Sequence, residues 1–197
     1  RVQKFAPDGT FLATISGPGE REGQLSNTAR MGIDQDDNLY VPDGSQVEVF
    51  DSEGAFLRAF GEGNVGFAVD AAVDDKGIVY VSDAEQNQIH VYDPDGNLLG
   101  SWGTFGQEPG NLIEPEALAL NGLGNLYVVD FGNQRIQKFA LTPVVSPGAT
   151  PVVAEASAVE LAWQSTGGPD PFNVPTGMTI APDGNLWVID SGNNQLQ

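Results

Sequence analysis

The chain has no cysteine and a single histidine, His90, and these two shortages remove several classes of chemistry. Without cysteine there is no disulfide, no Cys-ligated zinc site and no thiol nucleophile. One histidine cannot build a His-rich zinc centre, and no Gly-x-Ser-x-Gly, His-Glu-x-x-His or phosphate-loop motif occurs. We therefore predict no catalytic residue and no metal site, and the one cofactor left open is a calcium ion held by carboxylates.

Basic residues and long apolar runs are also scarce. The chain has 8 Lys and Arg against 27 Asp and Glu, which gives a net charge of −19 at pH 7. Such an acidic surface repels a phosphate backbone, so nucleic acid is not an expected partner. No apolar run approaches the roughly 20 residues of a membrane-spanning helix, so no membrane insertion of this segment is predicted.

The chain is rich instead in turn residues and short apolar segments. It contains 25 Gly and 13 Pro, and segments with a helical period are missing, which favours an all-β fold. Residues 124–139 read as two short strands joined by a turn, and degraded copies of this pair recur along the chain.

The copies define a repeat. The residues just before the second strand of each pair are Arg1, Gln46, Gln88, Arg135 and Gln195, which gives steps of 45, 42, 47 and 60. We predict one domain over residues 1–197 with four repeats at about 1–46, 47–88, 89–135 and 136–197. The long last step comes from a segment rich in Pro, Ala and Thr at residues 140–158, which we expect to be an exposed insertion.

The turn within residues 124–139, Asp130-x-Gly-Asn-x-Arg-Ile-Gln137, resembles that of the NHL repeat, whose members form β-propellers. The resemblance implies a radial array of four-stranded antiparallel blades. Four repeats fit either an arc cut from a larger ring, six blades being usual in the family, or a closed four-bladed propeller. Residues 195–197 repeat the register of residues 1–3, which favours the arc and a natural chain that starts before Arg1. An open arc would need further blades or self-association to cover its ends.

In every repeat, an aspartate ends the first strand of the pair. These residues are Asp43, Asp83, Asp130 and Asp190. Their recurrence indicates a brace for the turn and not a catalytic group. The family pattern further implies that Arg135 pairs with carboxylates between blades.

Function is better sought where a repeat departs from its own pattern. Alignment of the innermost strands places Arg30 and Asp70 where the family prefers small residues, and places Glu116 beside them. In a propeller these positions approach the mouth of the central channel, so we predict a ligand-binding site at Arg30, Asp70 and Glu116. An interblade salt bridge between Arg30 and Asp70 is the structural alternative.

Two functions remain open. The first is a non-catalytic scaffold of bacterial origin that binds a protein or a glycan, as part of a larger exported or cell-envelope protein, and this is the function we favour. The second is a calcium-dependent propeller enzyme of the lactonase or lyase type. The single histidine counts against the relatives that use His-bound zinc.

Overall fold

The structure, a computed structural model, describes residues 1–19, 21–141 and 159–197. These residues form seventeen β-strands in five antiparallel sheets and two short 3-10 turns, so the all-β prediction is confirmed. Among the helical segments in this part of the chain, none is long and apolar enough to cross a membrane. The insertion predicted at residues 140–158 lies outside the described residues from position 142 onward.

Three sheets have four strands each, and we number them as blades in chain order. Blade 1 contains β3 (Gly32–Ile33), β4 (Leu39–Asp43), β5 (Gln46–Phe50) and β6 (Phe56–Phe60). Blade 2 contains β7 (Ala68–Val73), β8 (Val79–Asp83), β9 (Gln88–Tyr92) and β10 (Leu98–Trp102). Blade 3 contains β11 (Pro115–Leu120), β12 (Asn125–Asp130), β13 (Arg135–Leu141) and β14 (Val159–Ser165). The predicted four-stranded antiparallel blade is confirmed.

Two partial sheets flank these blades. The N-terminal hairpin contains β1 (Val2–Phe5) and β2 (Phe11–Ser16). Blade 4 contains β15 (Pro175–Ile180), β16 (Leu186–Asp190) and β17 (Gln195–Leu196). The closed four-bladed propeller, in which β1 would pair with β16, is wrong for this structure. The edge of β16 is already occupied, because Val188 and Gln197 exchange backbone hydrogen bonds of 2.7 and 2.9 Å. The ring stays open, as the arc predicts.

The innermost strands of the blades are neighbours. Strand β7 lies against β3 on one side and β11 on the other, and β11 in turn lies against β15. This radial arrangement leaves a channel between the innermost strands. The side chains that these strands turn toward the arc's centre therefore face one another across the channel.

The core consists of apolar layers between successive blades. Both faces of blades 1 to 3 are covered, so their strands are near-continuous apolar runs and not alternating patterns. Tyr127 and Val129 of blade 3 are 8% and 0% exposed because side chains of blade 4 pack on them. The equivalent Trp187 and Ile189 of blade 4 are 46% and 53% exposed. The outer end of the arc thus presents an uncovered blade face.

The turns on one face of the arc, which we call the lower face, share one turn geometry. These are the turns that follow the first and third strands of each blade. The Oδ1 atom of Asp51 accepts hydrogen bonds from the backbone N–H groups of Glu53 and Ala55 at 3.0 and 2.7 Å. Gly54 and Gly96 have φ values of +89° and +88°, a conformation that glycine adopts without steric cost. The shared geometry of these turns indicates that they are structural features of the blades.

Candidate functional site at the mouth of the channel

The opposite, upper face is built by the turns between the second and third strands of each blade and by the connections that precede the innermost strands, at residues 17–19, 21–31, 61–67, 103–114 and 166–174. The aspartate that ends each middle strand anchors one of these connections. Asp83 accepts hydrogen bonds from the backbone N–H groups of Gly66 and Phe67 at 2.7 and 3.1 Å. Asp190 accepts one from Asn173 at 2.8 Å. These hydrogen bonds agree with the bracing role expected for the aspartates, and they hold the upper-face connections in place.

The brace in blade 3 is the most elaborate. Arg135 Nε donates to Asp130 Oδ2 at 2.6 Å, and the other guanidinium nitrogens donate to the carbonyls of residues 107, 108 and 111. Gln137 Nε2 donates to the same carboxylate oxygen at 2.9 Å. The family pattern implied carboxylates between blades, whereas the carboxylate that Arg135 contacts here, Asp130, belongs to the same blade. Burial explains this: a guanidinium 5% exposed needs the nearest carboxylate and carbonyls.

Blade 2 replaces the glutamine of this brace by His90. Its Nε2 atom lies 3.0 Å from Asp83 Oδ2 and its Nδ1 atom lies 2.6 Å from Ser101 Oγ. The set resembles a Ser-His-Asp triad. However, His90 is 2% exposed and occupies the position of Gln137, which makes the same bond to Asp130. Burial alone would raise the pKa of Asp83, but hydrogen bonds from His90 and from backbone N–H groups outweigh it and hold that pKa below its usual value. We therefore interpret His90 as a brace.

The residues predicted at the channel mouth do meet there. Arg30 immediately precedes the inner edge of blade 1, where its backbone N–H donates to the Val69 carbonyl at 3.0 Å. Its Nη2 atom lies 2.8 Å from Glu116 Oε2 and also donates to the carbonyl of Thr176. The guanidinium thus links blade 1 to blades 3 and 4 across the channel. The alternative, an Arg30–Asp70 salt bridge, does not form, because the guanidinium pairs with Glu116.

Asp70 serves a different purpose from its two neighbours. It is 6% exposed, and its carboxylate accepts hydrogen bonds from the backbone N–H groups of Ala71 and Leu118, each at 2.9 Å. The second of these bonds joins β7 to β11. Burial raises the pKa of Asp70 to about 7, against the lowering effects of those hydrogen bonds and of the Arg30 charge. Asp70 is an interblade brace whose charge state changes near neutral pH.

Two cavities adjoin Arg30 and Asp70. One has a volume of about 370 Å³ and lies among the innermost strands of blades 1 to 3, beside Ala71 and Leu118. The other has about 380 Å³ and opens onto the uncovered face of blade 4, beside Trp187. Within the described part of the chain, no group of three or more His, Asp or Glu side chains is arranged to hold a metal ion. Arg30 and Glu116, with side chains 33% and 22% exposed, are the charged groups that a ligand can reach.

The upper-face connections also expose side chains that the fold does not use. The acidic ones are Glu22, Glu62, Glu85, Glu108, Glu114 and Asp170. On the same face, Phe105 is 72% exposed, whereas Phe172 is 6% exposed in the core between blades 3 and 4. An acidic surface with one exposed aromatic ring is therefore what a partner meets on this face.

Sequence reasoning missed one unusual residue, Glu48. It occupies the place of His90 and Gln137 in its own blade, two residues after the start of the third strand. It is 1% exposed, and its Oε2 atom has no hydrogen-bond partner in the described residues. Burial, with the charge of Asp43, raises its pKa to about 7. The sequence contained the evidence for this difference, because the repeat alignment places an acidic residue in blade 1 where blades 2 and 3 have a hydrogen-bond donor.

The family comparison matches the parts of the chain with the most regular repeats. The model of the NHL repeat matches residues 112–139 and 172–197. NHL repeat-containing protein 3 of Homo sapiens is 26% identical over 183 residues, which cover 83% of this chain and 50% of the human protein. Protein brain tumor of Drosophila melanogaster is 26% identical over 107 residues, which cover 52% of this chain and 10% of that protein. The chain thus spans half of the first relative and a tenth of the second.

Solved structures of propellers share the fold at low sequence identity. A streptogramin B lyase structure superposes with a TM-score of 0.62 and 15% identity, over 87% of this chain and 51% of the lyase. A structure of the nidogen/laminin complex superposes with a TM-score of 0.61 and 18% identity, over 86% of this chain and 59% of the matched one. At these identities the likeness concerns the fold. Together with the repeat matches and the radial four-stranded blades, it shows that the chain contains NHL repeats and has the fold of a β-propeller.

Proposed function

We propose that this protein is a non-catalytic NHL propeller module that binds a partner protein on its upper face, with Arg30, Asp70 and Glu116 at the centre of the site. The observation that carries the proposal is the Arg30–Glu116 ion pair. It crosses the channel mouth, both side chains are partly exposed, and it braces no turn. Lower-face carboxylates such as Asp51 are instead occupied by their own turns.

The exposed chemistry of the upper face suggests the kind of partner. Glu62 and Glu108 are exposed on separate connections of the upper face, Glu85 is exposed on the turn between β8 and β9, and Phe105 is exposed on the same connection as Glu108. Acidic groups around an aromatic ring suit a basic protein segment that carries an apolar side chain. The likeness to a chain in a structure of the nidogen/laminin complex supports a protein partner in preference to a glycan. We also propose that the module belongs to a larger bacterial protein of the cell envelope or the exterior, with a ring of six blades.

The test is affinity capture with the purified protein as bait, followed by a titration of the purified captured protein. Glu116→Ala and Arg30→Ala should each weaken binding at least tenfold, a change of about 1.4 kcal/mol. The matched control is Glu53→Ala on the lower face, which should leave the affinity unchanged. Equal affinities for all four proteins would show that the channel mouth is not the site. Competition by a glycan but not by a basic peptide would favour the glycan-binding version.

A calcium-dependent enzyme of the lactonase or lyase type is the second candidate. It is favoured by the fold likeness to streptogramin B lyase and by two carboxyl groups, Asp70 and Glu116, near one channel. Against it, both oxygens of Asp70 already accept backbone hydrogen bonds, and Glu116 is paired with Arg30. Calorimetry with calcium alone separates the two candidates. Stoichiometric binding that is lost in Glu116→Ala would favour the enzyme.

A further inference from the structure

A buried carboxyl group in blade 1 stands where the other blades place a hydrogen-bond donor. Gln137 Nε2 lies 2.9 Å from Asp130, His90 Nε2 lies 3.0 Å from Asp83, and Gln197 Nε2 lies 3.1 Å from Asp190. In blade 1 the same position holds Glu48, which faces Asp43. An ionised glutamate can only accept hydrogen bonds, so it cannot replace these donors.

Asp43 offers Glu48 no donor of its own. Its carboxylate accepts hydrogen bonds from the backbone N–H and hydroxyl groups of Ser26 and from the backbone N–H of Asn27. In all of these contacts Asp43 is the hydrogen-bond acceptor. Two ionised carboxyl groups side by side at 7% and 1% exposure would be strongly unfavourable, since like charges and burial both oppose ionisation.

The other surroundings of Glu48 do not relieve this conflict. Gln46 donates to the Oε1 atom at 3.3 Å, and the Gly23 backbone N–H acts to lower the pKa of the carboxyl group. Glu22, on the connection above, adds a second negative charge, and Ala59 opposite it on β6 is uncharged. Every charged group that acts on Glu48 among the described residues is acidic.

We propose that Glu48 carries a proton that its Oε2 atom donates to Asp43, and that loss of this proton loosens residues 21–30, the segment that leads to Arg30 at the channel mouth. Asp43 and Glu48 each interact with this segment. Asp43 holds residues 26 and 27, and the Gly23 backbone N–H interacts with Glu48. The blade is thereby a pH-sensitive switch for one connection of the upper face. The inference does not depend on the identity of any ligand.

The direction of the pH effect follows from proton linkage. The folded state holds a proton up to a pH of about 7, whereas the same carboxyl group in a loosened state has its ordinary pKa of 4.5. Between these values the ordered segment binds the extra proton, so its stability is complete below about pH 4.5 and is lost as the pH rises through about 7. The opening equilibrium of the segment should rise by up to about tenfold per pH unit in this window.

The first measurement is a carboxyl-carbon NMR titration of the wild-type protein labelled at glutamate. The Glu48 signal should titrate near pH 7, separately from the signals of the exposed glutamates. A midpoint in the ordinary range, about 4.3, would overturn the proposal without recourse to any variant.

The second measurement is hydrogen exchange of residues 21–30 at pH 5 and pH 7, corrected for the intrinsic exchange rate. The wild type should open at least fivefold more at pH 7. Glu48→Gln, which installs the side chain of Gln137, should remove the difference, and Glu53→Gln, an exposed glutamate of the same blade, should keep it. A Glu48→Gln protein with the wild-type difference would overturn the switch. Stabilisation of the wild type by calcium at pH 7, absent in Glu48→Gln, would also overturn it by assigning a cation to the pair in place of the proton.

Discussion

Arg30 Nη2 lies 2.8 Å from Glu116 Oε2, although the residues are 86 positions apart and belong to blades 1 and 3. The contact crosses the channel mouth and joins blade 1 to blade 3 without a contribution from blade 2. Its side chains are 33% and 22% exposed, so water screens the attraction. A partner can therefore displace either group at little cost to the fold, which is the property a binding site needs.

The first prediction concerns the stability contributed by this pair. Arg30→Ala and Glu116→Ala should each change the free energy of unfolding by less than about 1 kcal/mol, because exposed ion pairs contribute roughly 0 to 1 kcal/mol. Urea unfolding of the wild type, both single variants and the double variant gives the coupling energy. A coupling of several kcal/mol would show that the pair holds the arc together and that its binding role is secondary.

Asp70 should behave in the opposite way. Asp70→Ala leaves the Leu118 and Ala71 N–H groups without their acceptor and should reduce the free energy of unfolding by about 2 to 4 kcal/mol. Arg30→Ala should not restore it, because Arg30 pairs with Glu116. Denaturant unfolding of the single and double variants measures both effects. Recovery in the double variant would mean that Arg30 and Asp70 form the essential pair after all.

Asp70 also predicts a pH dependence. Its folded pKa of about 7 lies above the ordinary 3.8, so the folded state holds an extra proton between these values. The stability that this proton adds is complete below about pH 3.8 and is lost as the pH rises through about 7. Melting temperatures from pH 5 to 8 should fall more steeply in the wild type than in Asp70→Asn. The exposed control Glu62→Gln should follow the wild type, and a slope in Asp70→Asn equal to that of the wild type would contradict the prediction.

The blades could be predicted from the sequence because its different local features all indicate the same fold. Turn residues, short apolar strands and the recurrent aspartates all repeat with the same period, so the fold follows from the repetition itself. The choice of the arc rested on the register shared by residues 195–197 and 1–3, and the structure shows the consequence in the Val188–Gln197 pairing.

Side-chain partners were predicted less well, because they depend on distances that a repeat pattern does not contain. Asp70 and Arg30 come from adjacent blades and looked like a pair, but the length of the arginine side chain lets it reach Glu116 two blades away. Glu48 was overlooked because its burial beside Asp43 depends on packing that the repeat pattern does not contain.

His90 offers a direct test of the bracing role. His90→Gln installs the residue that blades 3 and 4 use at this position, and should change the free energy of unfolding by less than about 1 kcal/mol. His90→Ala leaves Asp83 without one of its donors and should cost about 2 to 4 kcal/mol. Urea unfolding compares the two. Equal losses would mean that the imidazole, and its contact with Ser101, has a purpose that the glutamine of other blades does not serve.

Nucleic acid should not bind at physiological salt. The net charge of −19 gives a repulsive surface, and the buried Arg135 is bound to Asp130 and to backbone carbonyls. An RNA gel shift at sub-micromolar protein is the measurement. A shift that weakens as salt is added would contradict the prediction, because that salt dependence requires a cluster of basic phosphate contacts.

Arg135 is the residue whose loss should damage the upper face most. Arg135→Ala removes the guanidinium that joins Asp130 to three carbonyls of the connection before β11, and leaves a carboxylate at 0% exposure with fewer donors. Breaking such a buried pair costs about 3 to 5 kcal/mol. Arg135→Gln should cost less, because Gln88 and Gln195 occupy the same position in blades 2 and 4 without disrupting them. Urea unfolding with the exposed Arg21→Ala as a control measures the order. If Arg135→Gln and Arg135→Ala were equally damaging, the carbonyl contacts and not the bond to Asp130 would set the stability of this connection, since glutamine can replace only the latter.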